Sequence, residues 1–336
     1  MGRPGARLTD PMSGRLPETP AVLAIRRAVR VWWAERDETL PPVVALSGGP
    51  DSVALLAAAV AEAGTTEAIV VDHGLQEGSR EVALAAARIA DVLGARATVV
   101  TVDVAGSGGL EAAARRARYE ALDARRAGRA VLLGHTLDDQ AETVLLGFGR
   151  GSGPGSVSGM RPWEAPWGRP LLGVRRADTH VMCADLGVEP WHDPHNRDRR
   201  FTRVRLRHEI LPALEDALGG GVAEALARTA IRIDEDERML DAMAAEQLRM
   251  IADQPAADLP IERLEPIPPP LRRRILRRWL LDRGTSSFTD RQLRAIDDLI
   301  GRWRGQGAVA VAGGGPRARL VVTRRHGRLI VEPADR

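Results

Sequence analysis

The chain has 336 residues, 44% of them hydrophobic, and a net charge of only +3. It is longer than one typical domain and apolar enough for real cores, but partners must be sought in local charge clusters. All 48 basic residues are arginine, which excludes any lysine nucleophile, Schiff-base former or phosphate clamp, and the single cysteine, Cys183, excludes an internal disulfide framework and a Cys-rich zinc site.

Residues 1–18 are polar and rich in Pro and Gly and read as a disordered tail. No signal-peptide core is visible, and no apolar run approaches the roughly 18 residues of a membrane span. A cytoplasmic protein with no membrane contact is expected. Thr19-Pro20 looks like an N-cap followed by proline at the first helical position, opening a helix to about Glu35 with Val22, Leu23, Ile25, Val29 and Trp32 inward.

Pro42 to Ser52 then reads PVVALSGGPDS, an apolar run ending in Ser47, Gly48, Gly49, Pro50, Asp51 and Ser52 and followed by the helix-like VALLAAAVAEA. Strand, glycine turn and helix together form a phosphate cradle. Glycines let N–H groups face an anion, the serines add hydroxyls, and the helix directs its positive end at the same point. A Walker A lysine is missing and an acid, Asp51, stands inside the loop. An acid beside a polyphosphate is reasonable if it holds Mg²⁺.

Strands are predicted at Ala68 to Val71, Ala97 to Val102 and Ala130 to Leu133, alternating with helices at Ser79 to Leu93 and Gly109 to Arg126. The alternation predicts a Rossmann-like parallel sheet, whose ligands sit beyond the carboxyl ends of the strands. Asp72 and His73 follow the second strand, where they form either an Asx turn or a nucleoside contact. The fourth strand is followed by GHTLDDQAET, which carries His135, Asp138, Asp139 and Glu142. These acids cap the next helix, or bind Mg²⁺ or a cationic substrate. On the Gly109 to Arg126 helix, Glu111, Arg115, Arg118 and Tyr119 share a face.

Gly149 to Gly159 is too glycine-dense for regular structure and reads as either a mobile lid or a linker. The stretch Trp191 to Pro212 holds six arginines against three acids, with Arg203 and Arg207 one helical turn apart and able to grip phosphate. From about Gly219 helices are expected at Val222 to Ile251, Pro268 to Asp282 and Thr289 to Trp303 with no strand between them, then a small β element over Gly307 to Glu332. The expected division is a tail (1–18), a catalytic domain (19–217), a helical domain (218–304) and a terminal β element (305–336). On the second of those helices Leu271, Ile275 and Trp279 form an apolar stripe, leaving Arg272, Arg273, Arg274, Arg277 and Arg278 to a surface that suits RNA phosphates.

SGGPDS, VDHGL, EAAARRARY, GHTLDDQAET, RPLL at Arg169 to Leu172, and DPHN followed by RFTRVRLRHEILPALE together resemble the bacterial tRNA(Ile)-lysidine synthases, N-type ATP pyrophosphatases of the PP-loop class, over about Val43 to Glu215. The resemblance implies ATP-dependent attachment of free L-lysine to C2 of the wobble cytidine of tRNA(Ile) with a CAU anticodon, through an adenylated cytidine, releasing pyrophosphate and AMP. It implies pyrophosphate and Mg²⁺ binding by Ser47, Gly48, Gly49, Pro50, Asp51 and Ser52, with Asp139 a second metal ligand. Asp72, His73 and His135 fall to the ATP site, with Mg²⁺ or the lysine ammonium as alternatives for His135. Asp138 and Asp139 are expected in catalysis beside Asp51. Arg115, Tyr119 and Glu142 go to lysine or cytidine, and Arg207 to the ATP phosphates. Arg203, Arg272, Arg273 and Arg277 are expected to meet tRNA.

Two positions depart from the family pattern: His195 stands where a serine, and Val204 where an asparagine, is usual. The chain also ends soon after its helical part, so the further RNA-binding domain of longer members is expected to be missing or reduced. Oligomeric state stays open, a homodimer included. The alternative is another PP-loop RNA-modifying or amidotransferase-type ATP pyrophosphatase. Thiolation would call for more cysteine than Cys183, and an amidotransferase for a glutaminase nucleophile. A nucleotide sensor without catalysis would leave the acidic cluster unused.

Overall fold

The computed structural model describes residues 16–36, 40–76, 78–104, 109–151, 153–193, 198–252, 258–313 and 318–335. The chain divides into two compact units, one ending at Ile233 and the other starting at Asp234.

The first unit opens with α1 (Pro20–Ala34), capped by the Thr19 hydroxyl, which accepts from the Val22 N–H. Val22, Ile25, Val29 and Trp32 are buried as the apolar spacing requires, each contributing roughly 1.5–3 kcal/mol. Leu23 is the exception, half exposed on the outer face. Then follow β1 (Val43–Ala45), α2 (Pro50–Ala63), β2 (Glu67–Asp72), α3 (Ser79–Val92), β3 (Arg96–Thr101), α4 (Leu110–Arg125), β4 (Val131–Leu132) and α5 (Leu137–Arg150). A single helical turn, α6 (Pro154–Val157), forms within the glycine-rich stretch, and burial of Val157 against Val144 explains why that stretch is not wholly irregular. The strands β5 (Trp163–Glu164) and β6 (Trp167–Gly168) precede α7 (Arg176–Asp185) and α8 (Thr202–Arg205). A π turn over Leu206–Ile210, α9 (Leu211–Leu218) and the start of α10 (Val222–Ile251) complete the unit.

The sheet order is β3-β2-β1-β4-β6-β5, parallel except for the β5/β6 edge pair. Two-sided covering explains the apolar runs of the central strands. Val44 faces a core that includes α1, α2, α3 and α7 residues, whereas Val43, Ile69 and Val131 pack with Leu122 of α4. The chain reverses direction across the sheet between β1 and β4, both of which pair directly, so the loops after these two strands meet at the crevice where open α/β sheets bind ligands.

In the second unit the rest of α10 is followed by β7 (Leu259–Pro260), α11 (Ile261–Leu264), α12 (Pro269–Asp282), β8 (Thr285–Ser287), α13 (Asp290–Gly301), β9 (Val309–Gly313), β10 (Ala318–Arg325) and β11 (Arg328–Asp335). The strands form one sheet, β7-β11-β10-β9-β8. Two strands thus interrupt a region expected to be purely helical. Each is only two or three residues long and is fixed by a ladder to a later strand, β7 to β11 and β8 to β9, so no local pattern announces it. Ile275, Leu276, Trp279 and Leu280 of α12 share a core with Leu293 and Ile296 of α13 and with Val311, Val322 and Leu329 of the strands.

Candidate active site

The phosphate loop is built from its own hydroxyls. Ser52 Oγ donates to the Gly49 carbonyl at 2.9 Å and accepts from the Ser47 N–H at 3.2 Å, and the two serine hydroxyls lie 3.1 Å apart. Gly49 is the N-cap of α2, Pro50 its first residue and Asp51 an acid of its first turn. Gly48 holds φ +83°, a left-handed value that suits glycine, and its carbonyl accepts from the Trp191 N–H. Across the crevice Gly134, at the end of β4, lies so close that a Cβ there would stand 3.0 Å from the Asp51 carbonyl group and the Ser52 nitrogen. The loop after β4 is thereby pressed against the first turn of α2.

Thr136 caps α5 in a reciprocal box with Asp139: Asp139 Oδ2 accepts from both the N–H and the hydroxyl of Thr136, at 2.8 and 2.7 Å. Its other oxygen is left for electrostatics. Arg176 Nη2 donates to Asp139 Oδ1 at 2.6 Å and Arg176 Nη1 to Glu142 Oε1 at 3.3 Å, while Arg176 Nε lies 3.6 Å from Asp51 Oδ2. Arg207 Nε and Nη2 reach the two oxygens of Glu142 at 2.8 and 3.2 Å, and Nη2 stands 3.5 Å from Asp139. Asp138 turns the other way, accepting the Arg176 N–H at 2.7 Å and so capping α7. Beside this network lies a cavity of about 110 Å³ lined in part by Asp138, Glu142, Arg175, Arg176, Arg207 and Glu215.

Burial pushes the Asp51 carboxyl up to about 6, with the Thr179 hydroxyl donating at 2.5 Å and Arg176 opposing the rise. Burial acts on Asp139 in the same direction, but Arg176 and the Thr136 N–H outweigh it and hold that carboxyl below its usual range. His135 is pushed down to about 3 by burial, with Asp139 pulling upward and Arg118, Arg169 and Arg115 downward, so its imidazole is neutral at pH 7. Burial also pushes the Cys183 thiol up to about 12, which removes it as a nucleophile near neutral pH.

Asp51 is a half-buried carboxylate whose affinity for a proton stays raised despite Arg176 at 3.6 Å, and it faces a second carboxylate, Asp139. That donor set fits Mg²⁺, which takes one or two carboxylates and completes its shell with water and phosphate oxygens. Among the described residues no cluster of three or more His, Cys, Asp or Glu residues could hold a metal by itself. The phosphates of a bound nucleotide would therefore complete the site.

The expected residues divide into those gathered here and those placed elsewhere. Ser47 to Ser52, His135, Asp138, Asp139, Glu142 and Arg207 converge on the crevice. Asp72 is buried and forms an Asx turn, accepting from the Gly74 N–H at 3.0 Å. His73 follows it, its Nδ1 buried without a partner. Arg115 donates to the Tyr119 hydroxyl at 3.2 Å, and the Tyr119 ring packs edge-on against Trp167 at 4.6 Å. The Glu111 side chain and His195 lie outside the described residues, and Val204 is buried in α8. Arg203 is exposed, whereas Arg207, one turn on, points into the acids.

On α12 the arginine surface is smaller than its helical wheel indicates. Arg272 is buried: Nε donates to Asp297 at 2.5 Å and Nη1 to the Glu265 and Ile267 carbonyls. It is a strut for α13, not a surface cation. Arg273 also reaches Asp297, at 3.5 Å, and Arg274 pairs with Glu237 and Asp241. Arg277 and Arg278 remain exposed. The residues missed by the sequence reading are Arg175, Arg176 and Thr179. The only local signal was the Arg-Arg pair shortly after RPLL.

A parallel sheet with a strand, an SGGPDS turn and a helix at its switch point defines a PP-loop protein, and the PP-loop domain family matches residues 27–214. The TilS substrate binding domain family matches residues 259–330. The tRNA(Ile)-lysidine synthase of Rhodococcus erythropolis is 58% identical over 323 residues, 96% of this chain and 98% of that protein. The enzyme of the same name from Nocardia farcinica is 62% identical over 308 residues, 91% and 96% of the two chains. The chain belongs to the tRNA(Ile)-lysidine synthase family. In fold the chain is similar to the U34-tRNA thiolase NcsA of Methanococcus maripaludis, with a TM-score of 0.54 at 17% identity over 64% of this chain and 80% of that one.

Proposed function

We propose that the protein is a carbon–nitrogen ligase that uses ATP and free L-lysine to convert the wobble cytidine of tRNA(Ile) with a CAU anticodon into lysidine, in the cytoplasm. The observation that carries this reading is an acidic cluster, Asp139 and Glu142, wired through Arg176 to the Asp51 of a phosphate loop that has no lysine. In the first step the cytidine C2 oxygen attacks the α-phosphorus of ATP, an O–P bond forms, and the bond to the β-phosphate oxygen breaks with release of pyrophosphate. In the second, a lysine amine attacks C2, the C2–O bond breaks, AMP leaves with the electron pair and the amine gives up its proton.

The chain's own groups divide these tasks. Ser47, Gly48, Gly49, Pro50 and Ser52 at the positive end of α2 receive the departing pyrophosphate, and Arg207 neutralises phosphate charge. Asp51 and Asp139 would hold Mg²⁺, which supplies charge neutralisation at the phosphates. Glu142 and Asp138 hold the lysine ammonium, and Arg115 and Tyr119 border the lysine and cytidine. Asp72, His73 and His135 flank the nucleoside. Exposed Arg203 and Arg277, with half-buried Arg273 beside the latter, contact the tRNA backbone, and the boundaries of the two tasks follow a catalytic part to about residue 217 and a substrate-holding part beyond it. No helix among the described residues is long and apolar enough to cross a membrane.

The test is incubation of the protein with ATP, Mg²⁺, labelled lysine and a tRNA(Ile) transcript with a CAU anticodon. Label is expected in the tRNA, dependent on ATP. Equal labelling by a second amino acid, or none from a folded protein that binds ATP, would refute the reading.

A further inference from the structure

One group near the site has no role in that scheme and no counter-charge among the described residues. Arg118 of α4 is half-buried, and its Nε is cut off from solvent and has no hydrogen-bond partner. Its neighbours are Tyr119, which it meets through a side-chain hydrogen bond and whose ring lies 5.6 Å away, and a second cation, Arg115, and no carboxylate among the described residues is paired with it. Removing a guanidinium from water without an anion is costly, and in a folded protein such a group is ordinarily paired. Two further polar atoms are orphaned on the adjacent loops: Nδ1 of His73, after β2, and Nδ1 of His135, after β4. Arg118 acts electrostatically on both of these histidines. The three groups therefore converge from three elements.

His135 feels charges of both signs, Asp139 on the one hand and Arg118, Arg169 and Arg115 on the other. The acids stand at the α5 end, shared with Arg176 and Arg207, and Arg118 stands on α4 with no carboxylate paired to it among the described residues. A polyphosphate does not fit the α4 end, because a phosphate cradle already exists at the start of α2 and the acids would repel a second chain of phosphates. A small molecule carrying ammonium and carboxylate together matches both ends.

We propose that Arg118, with His73 and His135 beside it, is the subsite for the α-carboxylate of the amino acid substrate. This deepens the lysine-ligase reading above and rests on it. Arg118 binds and orients the carboxylate, and the acids at the other end take the ammonium. The enzyme thereby measures an amino acid by both of its charges and rejects amines that lack the acid group.

The experiment compares L-lysine with lysinamide, which keeps both amines and lacks the carboxylate, using the full-length protein, ATP, Mg²⁺ and the tRNA. The wild-type protein is expected to use lysinamide about 10- to 100-fold less efficiently, the range for one charge-assisted hydrogen-bond pair. Arg118→Gln should raise KM for lysine by a similar factor and abolish the preference over lysinamide, with tRNA-dependent pyrophosphate release retained. Arg118→Lys should restore part of the preference. Equal use of lysine and lysinamide by the wild-type protein overturns the proposal, as does an Arg118→Gln enzyme that keeps its preference but loses pyrophosphate release. If Arg118→Gln does not fold, Arg118→Lys decides, and an unchanged KM for lysine in that variant overturns the proposal. A wild-type protein that attaches no lysine at all marks failure of the ligase reading itself.

Discussion

Arg176 Nη2 meets Asp139 Oδ1 at 2.6 Å, and through its other nitrogens the same guanidinium approaches Glu142 and Asp51. One residue of α7 thus joins the phosphate loop to the acidic helix. Arg176→Met should leave three clustered carboxylates with Arg207 as their main cation. Lysine attachment is expected to fall about 100-fold or more, the scale set by loss of a buried charge partner. A variant with unchanged turnover would show that Arg176 is a mere strut.

Asp51 ties activity to pH. Its carboxyl titrates at about 6 in the folded chain, against about 3.9 in an unfolded one. Pyrophosphate release, which needs the ionised form, should decline as pH falls through about 6. The folded state binds the extra proton between those two values, so Asp51 costs stability as pH rises from about 4 to 6 and leaves a constant penalty above, on the order of 1–3 kcal/mol. Asp51→Asn is therefore expected to abolish pyrophosphate release and at the same time raise Tm at pH 8. A lower Tm there would contradict the desolvation argument.

Thr179 separates pKa control from direct participation. Its hydroxyl donates to Asp51 and lowers the carboxyl against the effect of burial. Thr179→Val should move the acid limb of the pH–activity profile to higher pH and leave the plateau at pH 8 to 9 within about twofold of wild type, since Asp51 is ionised there. A plateau loss with no movement of the limb would mean that Thr179 touches substrate.

Much of this site was legible because its parts are local. SGGPDS and GHTLDDQAET each place their groups within one turn of a strand end, where loop chemistry and the sheet's switch point fix what they face. Arg176 and Thr179 were not legible, since α7 starts 37 residues after Asp139 and only tertiary packing carries it to the phosphate loop. The same reason explains α12. Arg272 sits among arginines on a helical wheel, and it turns inward because Asp297 waits on α13. The strands β7 and β8 were hidden because their partners are terminal strands far along the chain. The sequence reading also separated 218–304 from 305–336, whereas the core of the second unit draws on both.

The contrast within α12 can be measured. Arg272→Ala leaves Asp297 buried without its main partner and should destabilise the protein by about 3–5 kcal/mol. Arg277→Glu with Arg278→Glu alters two exposed cations and should leave Tm nearly unchanged while lowering tRNA affinity about tenfold or more, with a shallower dependence on salt. Unchanged tRNA affinity in the double variant would make this face an ordinary solvated surface.

The close approach at Gly134 sets a limit on the phosphate loop. Gly134→Ala places a methyl 3.0 Å from the Asp51 carbonyl group and the Ser52 nitrogen, and strain of this kind costs about 1–3 kcal/mol. ATP-dependent pyrophosphate release is expected to drop sharply with the fold intact. Wild-type rates would show that the loop after β4 and the first turn of α2 do not need to meet at this distance.

The product defines the enzyme. After reaction with ATP, Mg²⁺ and free lysine, nucleoside analysis of tRNA(Ile) bearing the CAU anticodon should show lysidine at the wobble position in place of cytidine, with one pyrophosphate and one AMP released for each. An unmodified cytidine after ATP has been split, or a sulfur-containing base at that position, would contradict it.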